Sequence, residues 1–114
     1  WWGSFTGYTL AKMGMSLVTL GLAEEFKGRV AVNALWPKTV IATDAINMIP
    51  GVDIAGCRKP EIVADAAVQI LQQSFVEASG QFYIDEEILS KNGVNDFSAY
   101  AMDASKPLLP DLFL

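Results

Sequence analysis

Arg29-Val30-Ala31-Val32-Asn33-Ala34-Leu35-Trp36-Pro37 is the stretch that decides the fold. It is apolar without alternating, which predicts a strand over 29–36 buried on both faces, as in a parallel sheet. Pro37 has no amide to give a ladder and stops it. Upstream, residues 8–26 read as a helix, because Leu10, Met13, Leu17 and Leu20 recur at helical spacing. Met15, Val18 and Leu22 fill much of the other side, so this helix is expected to be buried on more than one face. Gly14 and Gly21 permit close approach, Glu24 and Glu25 mark the exit into water, and Gly28 ends the element.

Downstream, Lys38 to Thr43 reads as a loop, with Thr43 placed to cap a following turn. Residues 44–57 are amphiphilic and broken at Pro50-Gly51, in the manner of a lid. Residues 60–73 read as a helix, with Pro60 at its start and an apolar stripe of Ile62, Val63, Ala66, Ala67, Ile70 and Leu71. After a Ser79-Gly80 turn, a last strand is expected over 80–84. Asp85-Glu86-Glu87 reads as a solvated turn, Asn33 as a hydrogen-bonding residue, and Trp1, Trp2 and Trp36 as core or cleft wall. The tail from Asn92 is weakly patterned. Helix, strand, lid, helix, strand is the closing part of an alternating α/β sheet. Two strands do not make a stable parallel sheet alone. With Trp1 in place of an initiator methionine, the chain reads as part of a larger domain.

Composition narrows the chemistry. The net charge is −5 and Lys plus Arg total only 8, scattered along the chain. Such a surface is a poor partner for nucleic acid or anionic membrane. No apolar run reaches the roughly 20 residues of a membrane span. There is no histidine, and the single Cys57 permits neither an internal disulfide nor a multi-cysteine zinc site. No metal site is expected. Tyrosine, lysine and carboxylates remain as the proton-transfer groups.

Among these, Tyr8 and Lys12 stand out. They are one helical turn apart, so both project from one face. Lys12 is the only charged residue between Tyr8 and Ala23. A lone ammonium in an apolar stretch is costly if buried and chemically useful for that reason. A tyrosine at a helix start beside a snorkelling lysine would give the same spacing. The isolation of the lysine, the helix start and the strand-Pro unit that follows favour the chemical reading.

The Tyr8-Thr9-Leu10-Ala11-Lys12 motif, the long apolar helix, VAVNALWP and the TVIAT loop together resemble the C-terminal half of the short-chain dehydrogenase/reductase family. AEEFKGRVAVNALWPKT, CRKPEIVADAA, GQFYIDEEIL and PLLPDLFL are similar to its hydroxysteroid dehydrogenase-like subgroup. The resemblance covers nearly the whole chain. It implies a Rossmann-type doubly wound parallel sheet, an α/β fold of which this chain is the C-terminal half. It implies an oxidoreductase that moves a hydride between NAD or NADP and a carbonyl or secondary alcohol. Tyr8 would be the catalytic acid/base. Lys12 would activate it and hold the nicotinamide ribose, Pro37 would end the penultimate core strand at the cofactor, and Ile41 and Thr43 would contact the nicotinamide carboxamide. Most of the family has Gly where Lys38 stands, and here the loop to Thr43 is one residue longer. The family's Gly-rich phosphate loop, its cofactor-selecting residue and its catalytic Ser lie upstream of this helix and are not among these residues.

The apolar lid suggests a hydrophobic small-molecule substrate, and the apolar 8–26 helix a homo-oligomer interface. The resemblance implies a cytoplasmic location in a bacterium and a peroxisomal or mitochondrial one in a eukaryote. A non-catalytic binding or scaffold protein that kept the dehydrogenase fold is the alternative reading.

Overall fold

The computed structural model describes residues 5–74 and 78–111, so the readings of Trp1 and Trp2 lie outside the described residues. In chain order the elements are α1 (Thr6–Glu25), β1 (Ala34–Trp36), α2 (Asp44–Asn47), α3 (Glu61–Leu71), β2 (Phe82–Ile84) and α4 (Asp85–Lys91). Short 3-10 turns lie at Ile54–Gly56 and Ser98–Tyr100. β1 and β2 form a parallel pair. No described helix is long and apolar enough to cross a membrane. The chain divides into two compact units, Trp1–Ala34 with Gln73–Phe82, and Leu35–Gln72 with Tyr83–Leu114.

In the first unit the expected strand over 29–36 is shorter, and the reason is local. Side chains take the places that ladder partners would hold. The Ser79 hydroxyl accepts from the Val32 amide at 3.2 Å. Asn33 donates through Nδ2 to the Ala78 carbonyl and accepts the Gln81 amide at 2.9 Å. The main chain adds Gly80 N–H to the Val32 carbonyl at 2.8 Å and Ala34 N–H to the Gln81 carbonyl at 2.9 Å. Gly80 sits at φ +74°, a conformation that costs an L side chain, where a Cβ would also stand 3.5 Å from Ala23. The last strand therefore starts at Phe82 rather than at residue 80.

α1 does not have the all-round burial its sequence predicts. Thr9 and Ser16 are its buried residues, while Leu10 and Leu17 are 73% and 69% exposed. A helix apolar on every side needs neighbours on every side, and beyond α1 the described residues of this unit are only 5, 26–34, 73–74 and 78–82.

The second unit has a proper core. Ile62 and Ala66 of α3 meet Ile88 and Leu89 of α4, flanked by Leu35 and Ile41. Leu71 is 82% exposed, contrary to the expected stripe. It is the last residue of α3, turned about 100° beyond Ile70. The weakly patterned tail acts as an edge. Pro110 bridges Thr39 and Ala101 bridges Arg58, both antiparallel, while Ile41 bridges Arg58 in parallel. The 38–42 segment is thus held between the tail and residues 56–58.

Truncating Ile62 to Ala should cost about 2–5 kcal/mol of unfolding free energy, because the side chain is fully buried. Leu71→Ala should stay within roughly 0.5 kcal/mol. Urea denaturation of the two variants checks the contrast.

Candidate functional site

The Tyr8–Lys12 pair lies within the first turns of α1, both residues exposed on one face. Lys12 Nζ stands over the Tyr8 ring, 5.4 Å from its centroid. This is cation–π geometry, a cation held beside a phenol by the ring quadrupole. Lys12 is exposed because the apolar face around it is exposed too. What the sequence did anticipate is the juxtaposition of the two groups.

Pro37, Ile41 and Thr43 lie in the second unit. Pro37 directly follows β1. The backbone at Ile41 has a definite polarity. Arg58 N–H donates to the Val40 carbonyl at 2.9 Å, and Ala42 N–H donates to the Arg58 carbonyl at 2.8 Å. In a trans peptide the C=O and N–H point in opposite directions, and no cis bond occurs here. The Ile41 N–H and C=O therefore both point away from Arg58. They form an adjacent donor and acceptor that no described main-chain group takes up. The Ile41 side chain packs against the core and fixes this orientation.

Thr43 occupies the N-cap position of α2 with extended backbone, φ −121° and ψ 166°, but its hydroxyl makes no cap hydrogen bond. The expected cap is therefore absent. α2 ends at Asn47, and its first turn closes through Ile46 N–H to the Thr43 carbonyl at 3.0 Å. The Thr43 side chain is left exposed.

The acidic run is not the solvated turn its sequence suggests, except at Glu87, which is exposed. Asp85 is fully buried and Arg58 nearly so. Asp85 Oδ1 accepts the amides of Lys38 at 2.9 Å and of Glu86 at 2.6 Å. Glu86 takes Lys38 Nζ on Oε1 and Arg58 Nη2 on Oε2, each at 2.6 Å. The Arg58 guanidinium also lies over the Phe97 ring, 5.4 Å from its centroid. Burial pushes the Asp85 carboxyl up, against the opposing pull of the two amides and Arg58. Burial pushes Glu86 up as well, but Lys38 and Arg58 outweigh it and hold its carboxyl below the ordinary value of 4.5. Lys38 thus has a structural use. The signal that could have revealed this was the opposite charge of Lys38, Arg58 and Glu86, but their separation along the chain hides it.

Comparison with known proteins places these features. Over its whole length the chain is 54% identical to hydroxysteroid dehydrogenase-like protein 2 of Danio rerio and 51% identical to that of Homo sapiens. It spans 28% and 27% of those two proteins. No family model matches. Among solved structures, a Xanthomonas campestris protein assigned as a dehydrogenase superposes over all of this chain with TM-score 0.94 and 64% identity, the match covering 42% of that protein. A short-chain dehydrogenase of Mycobacterium thermoresistibile matches 94% of this chain with TM-score 0.83 and 39% identity, over 39% of its own length. The chain is similar throughout to short-chain dehydrogenases. The α/β architecture is accordingly of the Rossmann type, and the similarity supports an oxidoreductase.

The sign of the Glu86 linkage gives a test. Its folded-state value is depressed, so the stability it contributes is present above the unfolded value near 4.5 and is lost as pH falls through the folded value. Glu86→Gln should therefore lower stability most at neutral pH and flatten the acid limb of the stability–pH curve. Asp85, shifted upward, acts in the opposite sense and gains stability as pH falls through its folded value. Chemical denaturation between pH 3 and 7 (order-of-magnitude range set by carboxylate titration) reads the difference.

Proposed function

We propose that the protein carrying this chain is an NAD(P)-dependent oxidoreductase acting on a carbonyl or secondary alcohol, with Tyr8 and Lys12 as its proton-transfer pair. The observation that carries the reading is the Lys12 ammonium held over the Tyr8 ring on one exposed face of α1. The similarity to dehydrogenases over the full chain gives that pair its chemical context.

The residues present suit a nicotinamide dinucleotide. The outward Ile41 N–H and C=O are the complement of a primary carboxamide, which offers one acceptor and one donor side. The uncapped Thr43 hydroxyl adds a second polar group at the end of the same loop. Pro37 sets where β1 gives way to that loop. Lys12 carries donors that suit ribose hydroxyls. A bound nicotinamide would supply the hydride-transfer chemistry. Tyr8 donates a proton to, or removes one from, the substrate oxygen, and Lys12 stabilises the phenolate left behind.

The substrate is proposed to be hydrophobic. Met48, Ile49 and Ile54 of the lid are exposed apolar side chains, Met48 at 82%. The apolar face of α1, with Leu10, Met15, Leu17 and Val18 exposed, is proposed to be covered by a second copy in the working protein.

Tyr8→Phe should reduce turnover at least tenfold with the fold intact, since only the hydroxyl is lost. Lys12→Met should weaken dinucleotide binding by about tenfold or more, consistent with loss of a charge-assisted hydrogen bond. Steady-state kinetics on a panel of ketones and secondary alcohols, with fluorescence titration of NADH and NADPH, checks both. A Phe variant retaining more than about a tenth of the rate removes Tyr8 from the acid/base role.

Leu17→Glu should lower the oligomeric state of the whole protein, because a charge on a covered apolar face is uncompensated. Sedimentation velocity reads it, and an unchanged assembly argues that α1 is not the interface.

A further inference from the structure

Lys38, Arg58, Asp85 and Glu86 make a closed circuit around the loop that carries Ile41. Its start is fixed where Asp85 Oδ1 accepts the Lys38 amide. Its middle is fixed where the Arg58 main chain bonds Val40 and Ala42 on either side of Ile41. The side chains of Lys38 and Arg58 then converge on the two oxygens of Glu86. Arg58 is 4% exposed and Asp85 0%, so the circuit is built into the packed unit. Its two carboxylates open α4, the helix that supplies Ile88 and Leu89 to the core.

Main-chain bonds to the tail and to Arg58 already hold the loop on both sides. The ionic circuit adds to that hold, since moving the loop separates Lys38 from Glu86 or pulls Arg58 off it. Charge-assisted hydrogen bonds at this distance are the stronger class, and breaking one partner leaves a buried guanidinium uncompensated.

We propose that Glu86, bridging Lys38 and Arg58, is a positioning residue that sets the placement of the Ile41 N–H and C=O and thereby the recognition of the nicotinamide carboxamide. The inference rests on the dinucleotide reading above. Glu86 does not touch the reacting atoms and acts through the loop.

The test uses the whole protein, wild type, Glu86→Gln and Lys38→Met. Two readouts are taken. The first is hydrogen exchange without ligand at the Ala42 and Arg58 amides, with the α3 amides as internal reference. Protection at Ala42 should fall about tenfold in Glu86→Gln while α3 is unchanged. The second is the ratio of affinities for the preferred dinucleotide and its 3-acetylpyridine analogue, which lacks the amide donor. The ratio should shrink by about threefold or more in Glu86→Gln, whereas a general loss of stability would weaken both ligands alike. Lys38→Met removes only the partly exposed leg and should give the same changes at smaller amplitude. It serves as the test if Glu86→Gln fails to fold, and a Lys38→Met protein identical to wild type in both readouts then overturns the proposal. If wild type binds and discriminates the two dinucleotides and Glu86→Gln does so equally, the positioning role is wrong and the dinucleotide reading stands. If wild type binds neither NADH nor NADPH, the dinucleotide reading fails and takes this role with it.

Discussion

Glu86 stands between two cations that come from distant parts of the chain, and the second unit is organised around that fact. Arg58 cannot be buried without an anion beside it, because a lone guanidinium in the interior costs several kcal/mol (order of magnitude). Glu86 supplies the anion and Lys38 shares it. Asp85 beside it holds the Lys38 amide. The same four residues join the end of β1, the start of α4 and the 56–58 segment, so one electrostatic requirement fixes three chain segments at once. The apolar core of α3 and α4 supplies the bulk of the stability, and the circuit supplies the register.

The regular elements were legible because they follow periodicity. The apolar repeat located α1 and α3 to within a few residues, and the proline after Trp36 marked where β1 stops. The features that escaped depend on contacts far apart in the chain. Asp85-Glu86-Glu87 looks like any solvated acidic turn until Arg58 and Lys38 are brought to it. The tail lacks pattern because its bonds are made by backbone groups of Tyr100, Met102, Leu109 and Asp111, on either side of the Ala101 and Pro110 bridges, and these do not depend on side-chain type. β1 was read too long because Ser79 and Asn33 replace ladder partners with side-chain groups. Of the site, the Tyr8–Lys12 spacing was readable as one helical turn. The outward polarity of Ile41 was not, since it arises from which peptides Arg58 engages.

The two parts of the proposed site are unlike in character. The Tyr8–Lys12 pair is carried by a helix whose apolar faces are largely exposed. The Ile41–Thr43 loop belongs to a packed unit with a charged lock. A catalytic pair on a long helix keeps its internal spacing whatever covers the helix, since four residues along α1 fix it. A loop that must present two backbone groups needs support from outside itself, which the carboxylates of α4 give. Under the proposed function, the chemistry and the cofactor contact would be held by different physical means.

The central claim is that Tyr8 serves a hydride-transfer reaction at a nicotinamide cofactor. The most direct measurement is transfer of label, using a dinucleotide deuterated at the nicotinamide 4-position with the whole protein and a hydrophobic ketone that it turns over. The account predicts deuterium on the carbinol carbon of the product with wild type and its loss, at unchanged dinucleotide affinity within about threefold, with Tyr8→Phe. Product alcohol formed without deuterium, or formed equally well by the Phe variant, contradicts it.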